Sequence, residues 1–349
     1  MEKLNVAVFF GGCSPEYSVS LSSASGVILN LDPEKYNVLP VGITQQGTWY
    51  YYTGSVEKML DDTWHSSGDC TPAVLSPNRG ENSLLLLERQ GISRLHIDVA
   101  FPVLHGQNGE DGTLQGLLEL AGIPVAGCGT LASALSMDKD RAHKLVGLEG
   151  ILVPHSLILE RGTPLDRADA FADEIGYPLF VKPVKAGSSY GVTKVTQASQ
   201  LSDAIALAFK YDTQVILEEN IEGFEVGCAV LGNQELTVGE VDEIELSSGF
   251  FDFTEKYTLK TSAIHVPARI APEKAAEIKE TAKRIYLALG CRGFARVDMF
   301  LTPEGKIVFN EANTIPGFTS HSRYPGMMKA AGHSFGEILT RIIELAFEE

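Results

Sequence analysis

The segment FARVDMFLTPEGKIVFNEAN (residues 294–313) carries carboxylate, amide and guanidinium side chains at a spacing that suits metal binding. Two stretches of alternating apolar and polar residues flank a TPEGK turn, so the sequence predicts a β-hairpin. In that hairpin Asp298 lies opposite Glu311, and Arg296 lies opposite Asn313. Facing carboxylates repel one another unless a cation lies between them, and Mg²⁺ prefers carboxylate and amide oxygens. The hairpin therefore predicts a divalent-cation site, suited to Mg²⁺, at the facing pair Asp298 and Glu311, with a solvated edge hairpin as the alternative.

The register of this hairpin also predicts what its two faces contain. We pair Thr302 with Ile307, which places Phe300 and Phe309 on the face that carries the carboxylates. The residues expected to point to the core are Val297, Met299 and Val308.

A second segment, PLFVKPVKAGSSYGVTKV (residues 178–195), predicts a phosphate-binding loop. A buried strand delivers Lys182, and the small residues that follow let main-chain amides approach phosphate oxygens. The segment lacks the Walker A pattern. Residues 187–191 match G-x-S-x-G formally, but that nucleophile motif requires a following helix, and VTKV predicts a strand. A flexible surface loop is the alternative.

The segment VILEENIEGFEVG (residues 215–227) is an apolar strand that ends in acidic residues. Carboxylates such as Glu218 and Glu225 can bind the hydroxyl pair of a ribose, while nearby main-chain groups can read an adenine edge. Surface glutamates are common, so an ordinary solvated acidic stretch is the alternative to a nucleotide site.

The segment IPGFTSHSRYPGMM (residues 315–328) is a polar loop that precedes a helix. Amides near Gly317 can stabilise an oxyanion, and Arg323 is a natural partner for a carboxylate. A simple connecting loop is the alternative.

Strands and helices must bring these segments together, and their pattern predicts mixed α/β and α+β structure. Alternating strands and helices over residues 1–127 predict an open, mostly parallel sheet with an outer hairpin within 50–95. Ligands bind beyond the carboxyl ends of such strands, where Glu16 and residues 105–112 fall. Residues 128–214 and 215–349 predict two α+β units. The last of these contains an amphipathic helix over 273–289 and a helix capped by Ser334 and Glu337.

Composition narrows the function further. The 349 residues carry a net charge of −17, which argues against a general nucleic-acid binder or a protein of anionic membrane surfaces. Five scattered cysteines without a C-x-x-C pair predict reduced thiols and a cytoplasmic location. The apolar N-terminal stretch is too short for a signal peptide or a membrane span.

The chain resembles the D-alanine–D-alanine ligase family of ATP-grasp carboxylate–amine ligases in motifs that span its whole length and follow the family's order. These motifs are FFGGCSPEYSVS, LHGQNGEDGTLQG, MDKDRAHK, FVKPVKAGSSYGV, EEN with EVGCAVLG, FTEKYTLKT, GFARVDMF and NEANTIPGFTSHSRYP. EVGCAVLG and PGFTSHSRYP are most similar to the vancomycin-resistance ligases. The resemblance implies an ATP-grasp fold with a Rossmann-like N-terminal domain (1–127), a central subdomain (128–214) and a C-terminal subdomain (215–349).

The resemblance also implies roles for the residues that handle the two amino-acid substrates. Glu16 would hold the ammonium group of the first D-alanine, with Ser188 and Tyr257 in support. Four further residues would lie at the reacting groups or the second substrate, and two would stabilise the tetrahedral intermediate. The four are His105, Glu110, Ser322 and Arg323, and the two are Arg296 and Gly317 through its amide.

For the nucleotide, the resemblance implies ATP as a substrate and two Mg²⁺ ions, with Mn²⁺ as a substitute. The metal ligands would be Asp298, Glu311 and Asn313. The residues that contact ATP would be Lys139, Phe180, Lys182, Ser189, Glu218, Glu219, Ile221, Glu225, Lys256, Phe300, Asn310 and Glu311. The stretch 248–263 would form a lid, because an acylphosphate intermediate must be kept from water.

Three positions bear on how far the resemblance extends. Ala186 stands where ordinary members of the family carry glutamate, and Glu219 replaces their usual lysine, which predicts adenine recognition through main-chain amides there. Arg323 replaces an apolar residue after Ser-His-Ser. A guanidinium makes that subsite polar, so we expect D-serine as the second substrate, with D-alanine and D-lactate as alternatives. A homodimer is expected from the family.

Other classes of protein fit the sequence less well. A nicotinamide dehydrogenase would need G-x-G-x-x-G after the first strand, where this chain has GGCSPE. A non-catalytic nucleotide sensor and a different ATP-grasp ligase are alternatives that only assays of phosphate release separate.

Overall fold

The computed structural model describes residues 2–246 and 262–348. Its N-terminal part is a sheet of order β6-β5-β4-β3-β2-β1-β7 with helices against it. The first strand pairs in parallel with the second and the seventh, and the third to sixth strands continue the sheet beyond the second in antiparallel pairs. The bounds are β1 Leu4–Gly11, α1 Tyr17–Asn30, β2 Tyr36–Ile43, β3 Trp49–Tyr52, α2 Val56–Leu60, β4 Cys70–Leu75, β5 Ser83–Glu88, β6 Gly91–His96, β7 Val99–Pro102 and α3 Thr113–Ala121.

The second part is a four-stranded sheet of order β10-β9-β11-β8. Alternation along β9 buries Leu179 and Val181 against helices and directs Phe180 and Lys182 to the opposite face. The core of this layer consists of residues between 157 and 217 only. The bounds are α4 Thr130–Met137, α5 Lys139–Leu148, β8 Ser156–Glu160, α6 Leu165–Ile175, β9 Leu179–Pro183, β10 Thr193–Val195, α7 Leu201–Ala208 and β11 Gln214–Glu219.

The third part is an antiparallel sheet of order β15-β14-β12-β16-β17, with β13 paired to β12. The bounds are β12 Phe224–Leu231, β13 Thr237–Val238, β14 Asp242–Leu246, β15 Ser262–His265, α8 Pro272–Ala288, β16 Phe294–Leu301, β17 Ile307–Asn313, α9 Arg323–Ala330 and α10 Phe335–Leu345. The predicted apolar face of α8 is confirmed, because Ile278, Ala282 and Ile285 are fully buried. The predicted capping box at the start of α10 is also confirmed.

Aromatic packing joins the first and third parts. The ring of Phe101 lies 6.2 Å from that of Phe294 and 6.4 Å from that of Phe318, between centroids. One apolar cluster therefore contains residues of β1, β7, β16, α9 and α10 together. Within residues 2–246 and 262–348, no helix is long and apolar enough to cross a membrane.

The hairpin register is confirmed near the carboxylates and wrong near the turn. Asp298 pairs with Glu311, but Met299 pairs with Phe309, because a β-bulge makes Asn310 an extra residue of β17. The predicted pairing of Thr302 with Ile307 is therefore incorrect. Phe309 lies in the core, fully buried, instead of sharing the carboxylate face, because the bulge turns this large apolar ring inward.

Candidate active site

Two cavities lie among the three sheets, and Lys139, Ala186 and Glu311 line both. The first, of about 530 Å³, lies between the start of α1, the loop after β9 and the loop before α9. The second, of about 380 Å³, lies between the four-stranded sheet and the C-terminal sheet. The predicted site residues within the described ranges line one of these cavities, except Asp298.

Glu16 is a buried carboxylate in the wall of the first cavity, 6% exposed. The Ser188 hydroxyl donates to Glu16 Oε1, as the resemblance implied. Two glycines make room for this carboxylate. A Cβ on Gly106 would lie 2.4 Å from Glu16 Oε2, and one on Gly187 would lie 2.6 Å from it. Ser188 itself has φ of +46°, a left-handed conformation that costs free energy in a residue other than glycine.

Glu110 and His105 face the same cavity and are both held in their uncharged forms. Burial and, next, the charge of Glu16 raise the pKa of Glu110 to about 8, although the Gly106 N–H donates to its Oε2 at 2.7 Å. Burial lowers the pKa of His105 to about 4, and its Nε2 lies 3.1 Å from Ser23 Oγ. At neutral pH Glu110 therefore retains a proton that it can donate.

The opposite wall of the first cavity contains the loop before α9. Gly317 and Ser322 lie together there, because a Cβ on Gly317 would lie 2.9 Å from Ser322 Oγ. Ser322 precedes α9, and its Oγ accepts a hydrogen bond from the Thr319 amide at 2.9 Å. The structure thus brings the predicted oxyanion amide and the predicted second-substrate residues to one wall.

Arg323 is largely buried, 8% exposed, and its guanidinium forms ion pairs with three carboxylates, of which Asp298 Oδ1 is the most distant, 3.4 Å from NH2. Nε and NH2 donate to Asp242 at 2.7 and 2.8 Å, and NH1 donates to Glu225 at 2.7 Å. Gly227 leaves space for this contact, since a Cβ there would lie 2.4 Å from Arg323 NH2. Sequence reasoning missed Asp242, because its partner lies 81 positions away and an acidic residue in an alternating strand is no signal by itself.

The second cavity has aromatic and charged walls. Phe180 and Phe300 line it, and Lys182 Nζ donates to Glu218 Oε2 at 2.6 Å. Glu218 is 2% exposed, and burial opposes its ionisation, yet the charges of Lys182 and His143 lower its pKa. Sequence reasoning missed His143, whose Nε2 lies 2.9 Å from the Asn310 carbonyl oxygen and whose ring packs edge-on against Phe309.

The other residues predicted to contact a nucleotide line this cavity too: Lys139, Ser189, Glu219, Ile221, Glu225, Asn310 and Glu311. The expected main-chain recognition of adenine beside Glu219 cannot use the amide of Glu219 itself. The Glu219 N–H already donates to the His155 carbonyl, and the Glu219 carboxylate accepts from the His155 N–H at 2.8 Å. A base edge would therefore have to be read by other main-chain groups of this segment.

The predicted metal ligands fit Mg²⁺ in their chemistry, since all three supply oxygen atoms. Glu311 lines both cavities, and Asn313 lines the first. Asp298 is 1% exposed and already accepts hydrogen bonds from Arg296 at 2.8 Å and from Asn313 Nδ2 at 2.9 Å. A cation at Asp298 would therefore share this carboxylate with Arg296 and Asn313. Within the described ranges, no group of three His, Cys, Asp or Glu side chains forms a ligand set.

Two predicted residues, Lys256 and Tyr257, lie outside the described residues, as does most of the predicted lid over 248–263. The described flanks of that stretch are β14 and β15, which pair with one another beside the second cavity.

Comparison with known proteins places the whole chain among ligases of one family. The family models for the N-terminus and the C-terminus of D-ala D-ala ligase match residues 5–128 and 146–344. A D-alanine–D-alanine ligase of Caldicellulosiruptor bescii is 45% identical over 355 residues, which cover 100% of this chain and 96% of that protein. The vancomycin/teicoplanin A-type resistance protein VanA of Enterococcus faecium is 45% identical over 353 residues, 100% of both chains.

A solved structure supports the same assignment. The crystal structure of VanG D-Ala:D-Ser ligase from Enterococcus faecalis matches with a TM-score of 0.91 and 58% sequence identity, covering 99% of this chain and 100% of that chain. The ATP-grasp fold expected from the resemblance is thereby confirmed.

The raised pKa of Glu110 predicts a stability difference that depends on pH. Its folded-state pKa of about 8 exceeds the unfolded value of about 4.3, so the stabilising contribution is complete below about pH 4.3 and is lost as pH rises through about 8. We expect Glu110→Gln to match the wild type in melting temperature near pH 4.5 and to exceed it by roughly 2–4 °C at pH 9. Calorimetry across this range tests it, with exposed Glu235→Gln as the control. A difference that is constant with pH would contradict the assignment.

Proposed function

The chain belongs to the D-alanine–D-alanine ligase family, and from that premise we propose that it joins D-alanine to D-serine at the expense of ATP. Members of this family are ATP-dependent ligases that form D-Ala–D-X products. The D-serine product would terminate peptidoglycan precursors, as expected for a vancomycin-resistance ligase.

The observation that carries the choice of D-serine is the guanidinium of Arg323 at the wall of the first cavity. Its ion pairs with Asp242 and Glu225 fix its position, so the wall is polar where an apolar residue is the rule in ordinary members of the family. A site built for a hydroxyl leaves polar groups unpaired when a methyl group enters, which disfavours the smaller substrate. The 58% identity to VanG D-Ala:D-Ser ligase supports the same choice.

In the proposed reaction, the carboxylate of D-alanine attacks the γ-phosphate of ATP, and ADP leaves. The amine of D-serine then attacks the acyl carbon of the D-alanyl phosphate, loses a proton and expels inorganic phosphate. Glu16, held by Ser188, would orient the ammonium group of the first D-alanine. Arg296 and the Gly317 amide would stabilise the oxyanion of the tetrahedral intermediate.

The nucleotide would occupy the second cavity, with its base between Phe180 and Phe300. Lys139, Lys182 and the amides near Ser189 would neutralise and bind the phosphates. Asp298, Glu311 and Asn313 would hold Mg²⁺, which when bound neutralises charge on the transferring phosphoryl group. Lys182 has three N–H donors, so it can bind a phosphate oxygen while it keeps its contact with Glu218.

We also propose the following domain bounds, lid and assembly. The chain would divide into residues 1–127, 128–214 and 215–349. A lid over 248–263 would bring Lys256 and Tyr257 to the substrates. The protein would act as a homodimer in the cytoplasm.

The specificity proposal predicts a shift in product when Arg323 is replaced. With equal D-alanine and D-serine, we expect mainly D-Ala–D-Ser from the wild type and a shift of roughly tenfold towards D-Ala–D-Ala from Arg323→Leu, measured by mass spectrometry. Because Arg323→Leu leaves Asp242 buried without its partner, Arg323→Leu combined with Asp242→Ala is the second variant. Exposed Arg89→Leu is the control. Mainly D-Ala–D-Ala or efficient D-Ala–D-lactate formation by the wild type would show the specificity to be wrong, while the ligase assignment would stand.

The proposed metal site predicts selective loss of turnover. Glu311→Gln preserves size but removes a ligand charge in an accessible position, so we expect turnover to fall by roughly 10–100-fold or more with an unchanged melting temperature. Asp298→Asn should lower both the turnover and the melting temperature, because Asp298 also neutralises buried Arg296. Steady-state assays with varied Mg²⁺ measure this, and Glu304→Gln in the turn of the same hairpin is the control. Full activity in both variants would exclude the site.

The close approach of Gly187 to Glu16 predicts weaker binding of the first substrate when a methyl group is added. The Cβ of Gly187→Ala would lie 2.6 Å from Glu16 Oε2, so either the loop or the carboxylate must move. We expect the KM for the first D-alanine to rise by roughly tenfold, which corresponds to about 1.4 kcal/mol. Gly326→Ala in α9 is the matched control, since a Cβ there meets nothing within 4 Å. Equal kinetics for the two variants would contradict this role.

A further inference from the structure

The four-stranded sheet carries a lysine in the second cavity, Lys194, that has no role in the proposed function. Lys194 of β10 pairs with Phe180 of β9, which pairs in turn with Glu218 of β11. Directly opposed residues of antiparallel strands share a face, so these three side chains form a row across the sheet. All three line the second cavity, and Lys194 is half-buried there.

The ammonium of Lys194 differs from the other lysines of this cavity in its surroundings. Lys182 is 2.6 Å from a Glu218 oxygen, and Lys139 donates to the Ala186 carbonyl at 2.8 Å. Lys194 Nζ instead lies 5.7 Å from the centroid of the Phe180 ring, a cation–π distance. No carboxylate lies within 4.0 Å of it among residues 2–246 and 262–348.

Lys194 adds a second ammonium group beside the Phe180 ring. Lys182 Nζ lies 5.4 Å from the same Phe180 ring, so two ammonium groups approach one aromatic side chain. Glu218 compensates the charge of Lys182 at 2.6 Å, so Lys194 is the ammonium of this row that a bound anion could still compensate. The opposite wall is acidic, with Glu243, Glu245 and Glu311.

The loop that joins β9 to β10 connects this wall to the proposed phosphate site. Residues 184–192 run from the strand of Lys182 to the strand of Lys194, and they contain Ser189, whose amide is among those proposed to close over phosphates. Lys194 follows this loop by a few residues. We propose that Lys194 is a further phosphate-binding residue, whose ammonium pairs with a phosphate of the nucleotide when the second cavity is filled.

This inference rests on the proposed function, in that it takes a nucleotide as the occupant of the cavity. It assigns different roles to two neighbouring side chains: the Phe180 ring contacts the base of the nucleotide, and the Lys194 ammonium contacts its phosphates. A charge-assisted pair of this kind contributes more than a neutral hydrogen bond, and it weakens with salt.

The test compares ATP with adenosine, which presents the same base and ribose without phosphates. Dissociation constants are measured by calorimetry with Mg²⁺ for the wild type, Lys194→Gln, Lys194→Arg and the exposed control Lys210→Gln. We expect Lys194→Gln to bind ATP roughly tenfold more weakly and adenosine within about twofold of the wild type. Lys194→Arg should restore most of the ATP affinity because it keeps the charge, and high salt should narrow the gap between wild type and Lys194→Gln.

Three results would overturn the inference. Unchanged ATP affinity in Lys194→Gln would make Lys194 a solvated lysine, and an equal loss for ATP and adenosine would mean that it acts through the Phe180 ring. Failure of Lys194→Arg to restore affinity would exclude a charge effect. Lys194→Met replaces Lys194→Gln if the latter does not fold. A wild type that binds neither ligand would instead refute the proposed function itself.

Discussion

The register of β16 against β17 is the constraint on which both cavities depend. It sets Asp298 opposite Glu311, and the bulge at Asn310 lets Phe309 enter the core while Glu311 stays on the cavity side. The two carboxylates then have different surroundings. Asp298 is buried against Arg296, whereas Glu311 lies where the cavities meet. An unbroken ladder would have turned Phe309 to the cavity face, because side chains alternate strictly along a strand.

Much of this arrangement was predictable from the sequence because it depends on local periodicity. The strand that delivers Lys182, and the second strand after its glycine-rich loop, were expected from the apolar runs of residues 178–195, and the structure has them as β9 and β10. The facing pair Asp298 and Glu311 followed from the turn and the two flanking strands. The order of the motifs along the chain indicated the family, and the comparisons with known proteins confirmed that assignment.

What the sequence could not predict depends on contacts between distant segments. The bulge at Asn310 has no glycine to signal it, and it shifted the expected register by one residue from Met299 onward. The pairing of Arg323 with Asp242, and that of Lys182 with Glu218, joins strands and helices whose approach only the folded chain determines. These ion pairs also explain how a chain of net charge −17 holds Arg323 and Lys182 at its clefts: neighbouring carboxylates compensate both cations.

The separate core of the four-stranded layer has a mechanical consequence. The first and third parts of the chain share one apolar cluster through Phe101, Phe294 and Phe318, so the walls built on α1 and β16 are attached to a common body. The cluster beneath β9 and β11 contains residues of its own layer alone. A rigid-body displacement of that layer leaves its own apolar packing intact. The cleft between Phe180 and Phe300 can thus widen or narrow while little buried apolar area is exposed. The polar contacts across the cleft determine its width.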